Sequence, residues 1–353
     1  MIGVSCVIEK IHASQPLTHE EVTALLSTND TAVWNTVYAC ADLFRKKYMG
    51  DAVHLRGLLE FSNYCIRECA YCGLRSHNIN QVRYRMKPEE IIDQAIRINT
   101  YGIKTVVMQS GEDPFFTTEI LCDIVREIKS KADTAITLSV GEKTFEEYAA
   151  LRTAGADRYL LRHETASPEL YNKLHPDSRF EDRIRCIENL FKTGFQVGIG
   201  SMVGLPGQDE TDLAKDILLL QKYQPDMIGI GPFIANPETP LGNDKSGTIE
   251  MTLRMVALAR IVCPKAHIPA TTATGSIDPL GREKALRVGA NVVMPNFTPQ
   301  HYKIHYTIYP NKRCLDEEGS KCNGCIRAMI HSEGRTVSTD YGHAYRLTHN
   351  QNG

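Results

Sequence analysis

The sequence lacks long apolar runs and an excess of charge of either sign. No stretch approaches the roughly 18 consecutive apolar residues that a membrane-spanning helix needs. Residues 1–14 mix apolar residues with Glu9, Lys10 and His12 and do not form the apolar core of a signal peptide. The 40 basic and 42 acidic residues leave a net charge of −2, which does not indicate a nucleic-acid-binding surface. We therefore expect a cytoplasmic protein with neither nucleic acid nor membrane as a partner.

Linkers rich in Gly, Pro or Ser are also missing, and so are internal repeats. With 42% hydrophobic and 23% charged residues, the 353-residue chain has the composition of a globular protein. Thr18 and Asp30 predict the N-caps of two early helices. We predict one globular unit in three parts: a helical segment at 1–50 packed on a barrel, the barrel at 51–295 and an extension at 296–353.

From residue 51 onward, short β-rich runs alternate with helical stretches, a pattern typical of parallel βα units. The pattern predicts an α/β fold, a complete (βα)₈ TIM-type barrel with N-terminal helices and a C-terminal cysteine-bearing extension lying across it. The eight predicted strands are 52–61, 105–109, 135–140, 158–162, 196–203, 227–231, 267–271 and 291–294.

Polar residues alternate along two of these strands. His54, Arg56 and Glu60 share one face of the first strand, and Arg158 and Arg162 share one face of the fourth. Because the outward faces of barrel strands pack on helices and do not accommodate bare charges, we expect these side chains in the lumen. A polar lumen predicts a binding site, since a purely structural barrel core is filled with branched apolar residues.

Six of the 11 cysteines fall into two tight groups, which in a reducing compartment indicates metal binding rather than disulfides. The first group, Cys65, Cys69 and Cys72, follows the first strand and so belongs to the carboxyl-terminal, active face of the barrel. Three thiolates suit an iron–sulfur cluster, while zinc with His77 or His54 as a fourth ligand stays open. The other cysteines are interpreted as small buried hydrophobes: Cys6, Cys40, Cys122, Cys186 and Cys263.

The second group, Cys314, Cys322 and Cys325, lies in the predicted extension. By itself the C-x7-C-x2-C spacing is compatible with an iron–sulfur cluster or with zinc.

The motif Cys65-Ile-Arg-Glu-Cys69-Ala-Tyr-Cys72, with an aromatic residue before its last cysteine, resembles that of the radical S-adenosylmethionine superfamily. The resemblance implies a [4Fe–4S] cluster held by these three cysteines, with S-adenosylmethionine bound at its open iron. It implies reductive cleavage to methionine and a 5′-deoxyadenosyl radical, chemistry that the cofactor carries while the barrel positions and shields it.

The same resemblance implies which residues bind S-adenosylmethionine. It assigns the methionyl amine to Gly111 and Glu112 of Ser110-Gly-Glu-Asp-Pro, and the adenosyl moiety to Tyr71 and Met202. A plain turn at 110–114 and a core methionine at Met202 stay open as alternatives. The resemblance assigns the ribose hydroxyls and the carboxylate of S-adenosylmethionine to three further residues: Ser139, Glu164 and Arg183.

Longer stretches resemble the HydE family of [FeFe]-hydrogenase maturases, which are biotin-synthase-like barrels. Two of them are Arg158-Tyr-Leu-Leu-Arg-His-Glu-Thr and Gly200-Ser-Met-Val-Gly-Leu-Pro-Gly-Gln, and the C-x7-C-x2-C group strengthens the match. The resemblance covers nearly the whole chain, from about residue 50 to Cys325. The other matching stretches are 72–75, 109–114, 229–234 and 289–296.

This family resemblance implies an iron synthon with cysteine, carbon monoxide and cyanide ligands as the substrate, supplied by HydG on the way to HydF. It implies an accessory [2Fe–2S] or [4Fe–4S] cluster in the tail and an electron donor such as ferredoxin or flavodoxin. An internal ion pair, for instance of Arg162 with Glu164, and a packed aromatic at Tyr306 stay open. The residues assigned to the anionic substrate are Arg56, Arg158, Arg162, Thr271, Thr272 and Tyr306.

Two rival functions remain at this point. A biotin-synthase or methylornithine-synthase relative would share the chemistry and act on a small organic molecule, but it would not use the cysteine group in the tail. A non-catalytic iron–sulfur or zinc scaffold would have no need of a polar lumen.

Overall fold

A computed structural model describes residues 4–313, 315 and 319–349, and three helices precede its first strand. They are α1 (Val4–His12), α2 (His19–Ser27) and α3 (Thr31–Met49). The Thr18 hydroxyl accepts the Glu21 amide at the start of α2, and the Asp30 carboxylate accepts the Ala32 amide at the start of α3. Both predicted caps are confirmed.

In the part of the chain that the structure describes, eleven short strands follow the helical segment or lie in the tail. They are β1 (Ala52–Leu55), β2 (Gly57–Ser62), β3 (Thr105–Ser110), β4 (Ala135–Ser139), β5 (Arg158–Leu160), β6 (Gln196–Ile199), β7 (Met202–Val203), β8 (Met227–Ile228), β9 (Gly231–Pro232), β10 (Val292–Val293) and β11 (Thr336–Val337).

Helices alternate with these strands and cover the outside of the sheet. They are α4 (Pro88–Thr100), α5 (Thr118–Lys131), α6 (Phe145–Thr153), α7 (Pro168–Leu174), α8 (Phe180–Lys192), α9 (Glu210–Tyr223), α10 (Ile249–Val262), α11 (Thr272–Ile277), α12 (Gly281–Arg287), α13 (Gln300–Lys303), α14 (Gly319–Ser332) and α15 (Tyr345–His349). The early helices α2 and α3 pack on α9 and α10.

The strands form a closed parallel ring. Strands β2, β3, β4, β5, β6 and β8 are hydrogen-bonded in that order. Parallel bridges from Met227 to His267 and from Pro269 to Val292 continue the ring, and β10 pairs with β1 to close it. All eight predicted strand positions lie in this ring, so the predicted barrel is confirmed.

Several predicted strands are shorter or interrupted, and the one predicted at 267–271 is reduced to isolated bridges at His267 and Pro269. The first is divided at Arg56, and the segments at 196–203 and 227–231 are each split in two. Close backbone approach explains the split within 196–203, because a Cβ atom at Gly200 would lie 2.0 Å from the carbonyl oxygen of Gly229.

The tail runs from the mouth of the barrel to its base. The Gly73 amide donates to the Ile308 carbonyl at the mouth, 2.9 Å away. Strand β11 pairs in parallel with β1, and the following residues lie beneath the barrel floor. The predicted extension therefore spans the barrel lengthwise as well as covering its mouth. Among the helices that the structure describes, none combines the length and the apolar character required to cross a bilayer.

Candidate active site

The first cysteine group lies on the loop after β2, at the carboxyl ends of the barrel strands. The Cys65 sulfur accepts hydrogen bonds from the amides of Arg67 and Glu112, each at 3.4 Å. The Cys72 amide donates to the Cys69 carbonyl at 3.2 Å, which turns the loop back on itself. The loop thus places its three cysteines at the mouth of the barrel.

The three thiols lie in one another's electrostatic field. Burial, together with the neighbouring Cys65 thiolate, raises the pKa of the Cys72 thiol to about 12. Burial also raises the pKa of the Cys69 thiol, and the neighbouring Cys72 contributes to this increase. Ionising all three sulfurs is therefore unfavourable without a cationic partner, and soft iron is the partner that thiolates prefer. This donor set fits an iron–sulfur cluster.

Gly111 and Glu112 lie directly against the cysteine loop. The Ile66 amide donates to the Glu112 carbonyl at 3.0 Å. A Cβ atom at Gly111 would lie 2.2 Å from the Tyr64 carbonyl oxygen and 2.8 Å from the Cys65 Cβ. Because backbone cannot move aside cheaply, only glycine allows β3 to end this close to the loop.

A charged network links the cysteine loop to the neighbouring strands. Arg67 Nε lies 2.6 Å from Glu112 and Arg67 Nη2 lies 2.7 Å from Glu142. Arg183 lies 2.8 Å from Glu142 and donates to the Tyr171 hydroxyl at 3.0 Å. Burial opposes the charge of Arg183, but Tyr171 and the surrounding carboxylates outweigh it and hold the arginine's pKa above its usual value.

Sequence reasoning found Arg183 and Glu112 but missed Arg67 and Glu142. Arg67 lies inside the cysteine motif, and a charged residue between cluster-binding cysteines was the available signal. Glu142 follows the turn at Gly141, and no pattern in the sequence marks it as part of the site.

Tyr71 and Met202 meet on the other side of the loop. Met202 is 8% exposed and packs with Leu170, Leu174 and Phe233, and Tyr71 rests against this cluster. The Tyr71 hydroxyl lies 2.8 Å from His175 Nε2, a partner that sequence reasoning missed. Together they form an apolar shelf beside the cysteines.

Glu164 projects from the end of the fourth barrel strand. Its backbone is left-handed, with φ of 64°, and its Oε2 lies 3.2 Å from Arg162 Nη2. The ion pair considered as an alternative for Arg162 is therefore present. Ser139, at the end of β4, pairs in register with Gln109. These residues line the upper lumen.

Thr271 and Arg162 lie beside two glycines of the neighbouring strand segment. A Cβ atom at Gly229 would be in van der Waals contact with the Arg162 and Leu160 side chains, each at 3.9 Å, and one at Gly231 would lie 3.1 Å from the Thr271 hydroxyl. The Thr271 hydroxyl also caps α11 by accepting the Thr274 amide at 3.3 Å, and the Thr272 hydroxyl accepts from Arg282 at 3.3 Å.

Tyr306 lies in the part of the tail that covers the barrel mouth; it is 1% exposed, and its hydroxyl accepts from Gln109 at 3.3 Å. Lys312 lies 5.0 Å above its ring and forms a buried ion pair with Glu60. Sequence reasoning placed Glu60 in the lumen but missed Lys312, although a buried carboxylate there requires a cation. Tyr309 was also missed; burial raises its pKa to about 12, with Glu60 nearby.

Arg56 and Arg158 do not lie with the other residues predicted to bind the substrate. Both lie in the lumen as predicted, but at its base, where Arg158 Nη2 donates to the carbonyls of Tyr341 and Gly342 at 2.6 and 2.8 Å. Arg56 Nη2 donates to the same Gly342 carbonyl at 3.2 Å. Since tail carbonyls occupy these guanidinium groups, the structure does not bring them together with Arg162 in the upper lumen.

The histidines considered for zinc lie elsewhere. His77 is exposed and pairs with Glu68, while His54 is at the barrel base, 3.1 Å from Asp340. Neither adjoins the three sulfurs. Within residues 4–313, 315 and 319–349, no three Cys, His, Asp or Glu side chains are grouped so as to hold a single metal ion.

Of the second cysteine group, Cys322 is buried in the core near the start of α14 and Cys325 is exposed one turn later. Cys314 lies outside the described residues. Among the scattered cysteines, the expected burial is confirmed for Cys40, Cys122, Cys186 and Cys263, whereas Cys6 is exposed.

Comparisons with known proteins agree with this geometry. Residues 59–220 match the model of the radical SAM superfamily, which implies a [4Fe–4S] cluster and S-adenosylmethionine as cofactors. The chain is 49% identical over 341 residues to the [FeFe] hydrogenase maturase subunit HydE of Thermotoga maritima, covering 97% of each protein. It is 30% identical over 288 residues to 3-methylornithine synthase of Methanosarcina acetivorans, covering 81% of each.

The solved structure of methylornithine synthase (PylB) has the same fold, with a TM-score of 0.82 at 24% identity over 94% of this chain and 97% of that one. Near-complete coverage at 49% identity separates the HydE relative from the more distant synthases. The chain therefore belongs to the HydE family of radical S-adenosylmethionine enzymes.

Proposed function

We propose that Cys65, Cys69 and Cys72 ligate the [4Fe–4S] cluster and that its fourth iron binds the amine and carboxylate of S-adenosylmethionine. The observation that carries this proposal is the gathering of three mutually interacting thiols on one loop at the barrel mouth. When bound, the cluster supplies the electron that cleaves the sulfonium into methionine and a 5′-deoxyadenosyl radical.

The surrounding residues position S-adenosylmethionine. Tyr71 and Met202 provide the apolar shelf for the adenosyl group. The Glu164 carboxylate accepts hydrogen bonds from the ribose hydroxyls, and Arg183 and Ser139 hold the carboxylate end. Gly111 and Glu112 act at the methionyl amine and also dock the cysteine loop, through the contacts described above.

The substrate in this proposal is an iron synthon with cysteine, carbon monoxide and cyanide ligands. Arg162, whose side chain is 31% exposed, and the nearby Thr271 suit a small anionic complex, and Tyr306 closes the cavity from the tail. Thr272 contributes by orienting Arg282. Arg56 and Arg158 are left out because the tail already occupies them.

The name of the Thermotoga maritima relative indicates the pathway. The proposed role is maturation of the [FeFe]-hydrogenase cofactor, with the substrate derived from HydG, HydF as the receiving scaffold, and ferredoxin or flavodoxin as electron donor.

The decisive experiment compares Cys69→Ala with Cys6→Ala after anaerobic reconstitution. Cys6 is exposed on α1, so its loss should leave the release of 5′-deoxyadenosine by dithionite-reduced protein unchanged. Cys69→Ala should reduce that release by at least about 100-fold, because a ligand is lost. Release at the parent rate, or parent protein that contains zinc and no iron, would refute the assignment.

A second cluster at Cys314, Cys322 and Cys325 is proposed as an accessory site, either [2Fe–2S] or [4Fe–4S]. The i, i+3 spacing of Cys322 and Cys325 on α14 supports it, since such residues are neighbours on a helix surface. Cys322→Ala should leave 5′-deoxyadenosine release largely intact while lowering the iron content measured by Mössbauer spectroscopy. Complete loss of cleavage in folded protein would contradict the accessory role.

A further inference from the structure

Glu164 has an unusual backbone for a residue with a side chain. Its φ of 64° lies in the left-handed region, which non-glycine residues occupy only when their surroundings hold them there. The Glu164 amide donates to the Gly200 carbonyl at 3.0 Å, and its carbonyl accepts from the Met202 amide at 2.9 Å. The neighbouring strand segment thus holds the Glu164 peptide groups themselves.

Asp216 holds the residues on both sides of Glu164. Its Oδ1 accepts the Ala166 amide at 2.5 Å and lies 3.2 Å from His163 Nε2. The Ser201 hydroxyl lies beside the same carboxylate. Asp216 therefore links the residue before Glu164 to the residue two positions after it, and its carboxylate lies next to the strand segment alongside.

The position of Asp216 is otherwise unfavourable. Its side chain is fully buried on the face of α9 that also carries Leu213, Ile217 and Leu220. A carboxylate on such an apolar face is destabilising unless it makes specific hydrogen bonds, and those of Asp216 converge on the segment around Glu164.

The Glu164 carboxylate is left available by this arrangement. Its Oε2 is buried and, among the described residues, accepts no hydrogen bond, although Arg162 lies 3.2 Å away. Arg162 is itself held by the Ser201 carbonyl at 2.8 Å. The network therefore fixes both the backbone of Glu164 and its charged neighbour.

We propose that Asp216, together with His163 and Ser201, is a positioning residue that keeps Glu164 in its left-handed conformation and so directs its carboxylate at S-adenosylmethionine. This inference rests on the proposed role of Glu164. Asp216 acts from outside the barrel through hydrogen bonds to the loop, and it does not touch the cofactor.

The test measures the affinity of the reconstituted holoenzyme for S-adenosylmethionine in Asp216→Asn, Glu164→Gln and the double variant. Asp216→Asn should weaken binding by about tenfold, since a small displacement of a binding group is enough to produce such a loss. Its iron content and the EPR signal of its reduced cluster without S-adenosylmethionine should match the parent protein. In the Glu164→Gln background the Asp216 change should have almost no further effect.

Asp212→Asn is the matched control, because Asp212 lies one turn earlier on α9 and pairs with Lys215. It should bind S-adenosylmethionine as the parent does. If Asp216→Asn does not fold, His163→Asn removes one contact and retains the Ala166 hydrogen bond, and it should weaken binding several-fold.

Three results would overturn the inference. If Glu164→Gln weakens binding while Asp216→Asn, or His163→Asn in its place, does not, the positioning role fails and the proposed function stands. If the effects multiply in the double variant, Asp216 does not act through Glu164. If Glu164→Gln binds normally, the assigned role of Glu164 is wrong and the inference fails with it.

Discussion

His175 is held in a single tautomer by its neighbours. Its Nδ1 lies 2.8 Å from the Tyr171 carbonyl, which only accepts, so Nδ1 carries the proton. Nε2 therefore accepts the hydrogen bond from the Tyr71 hydroxyl at 2.8 Å. Burial, with the nearby charge of Arg183, lowers the pKa of this imidazole to about 3. His175 is thus a neutral acceptor that fixes the Tyr71 hydroxyl.

This state makes folding dependent on pH. The unfolded imidazole takes up a proton near pH 6.5 and the folded one only near pH 3, so between these values the unfolded state binds one proton more. Stability should therefore decrease as the pH falls through this window, by about 1.4 kcal/mol per unit from His175. Urea unfolding of the apoprotein between about pH 7 and pH 5 should show a weaker pH dependence in His175→Asn than in the parent, by a difference that approaches one proton toward pH 5. An equal pH dependence of the two proteins would contradict a neutral His175 in the folded state.

At the level of the strand, the alternation of polar residues predicted which side chains face the lumen. It did not predict how far along the barrel axis each of them lies. Arg158 and Arg162 point into the lumen from the same strand segment, as expected from the period of two. Arg162 lies four positions after Arg158, so the two lie about 13 Å apart along an extended chain, one near the tail and one near the mouth of the barrel. Periodicity alone therefore could not separate a structural arginine from a site arginine.

The two arginines form a matched pair for mutation. Arg158→Met removes one donor from each of the Tyr341 and Gly342 carbonyls, which keep hydrogen bonds from Thr105 and Arg56, and it takes a buried guanidinium from the base of the barrel. It should lower the free energy of unfolding by about 2–4 kcal/mol. S-adenosylmethionine cleavage should be little changed in the folded protein. Arg162→Met should do the reverse: its side chain is 31% exposed, so stability should change little, while substrate-dependent 5′-deoxyadenosine release falls. Thermal unfolding and product analysis measure both effects, and identical behaviour of the two variants would refute the distinction.

At the scale of the whole molecule, the tail connects the two ends of the barrel. The cysteine motif and the βα alternation were predictable because each lies within a short stretch of sequence. The pairing of Ala52 with Thr336 was not, since it joins residues nearly 300 positions apart through a strand too short to show a period. The same limit hid Lys312 as the partner of Glu60.

Gly342 allows the end of the tail to fit under the barrel. Its φ is 56°, and a Cβ atom there would lie 2.8 Å from His54 Nδ1. Gly334 provides a matched control, because its φ is 68° and a Cβ atom would meet nothing within 4 Å. Alanine at either position imposes a similar backbone strain of about 1–2 kcal/mol.

Gly342→Ala should therefore destabilise the protein more than Gly334→Ala does, by about 1–3 kcal/mol of overpacking against His54. Displacing the Gly342 carbonyl also takes an acceptor from Arg158, so the effects of Gly342→Ala and Arg158→Met should be less than additive. Denaturant unfolding of the four single and double variants measures both terms. Equal losses at Gly342 and Gly334, with additivity to Arg158→Met, would mean that the tail end does not hold the arginines at the base of the barrel.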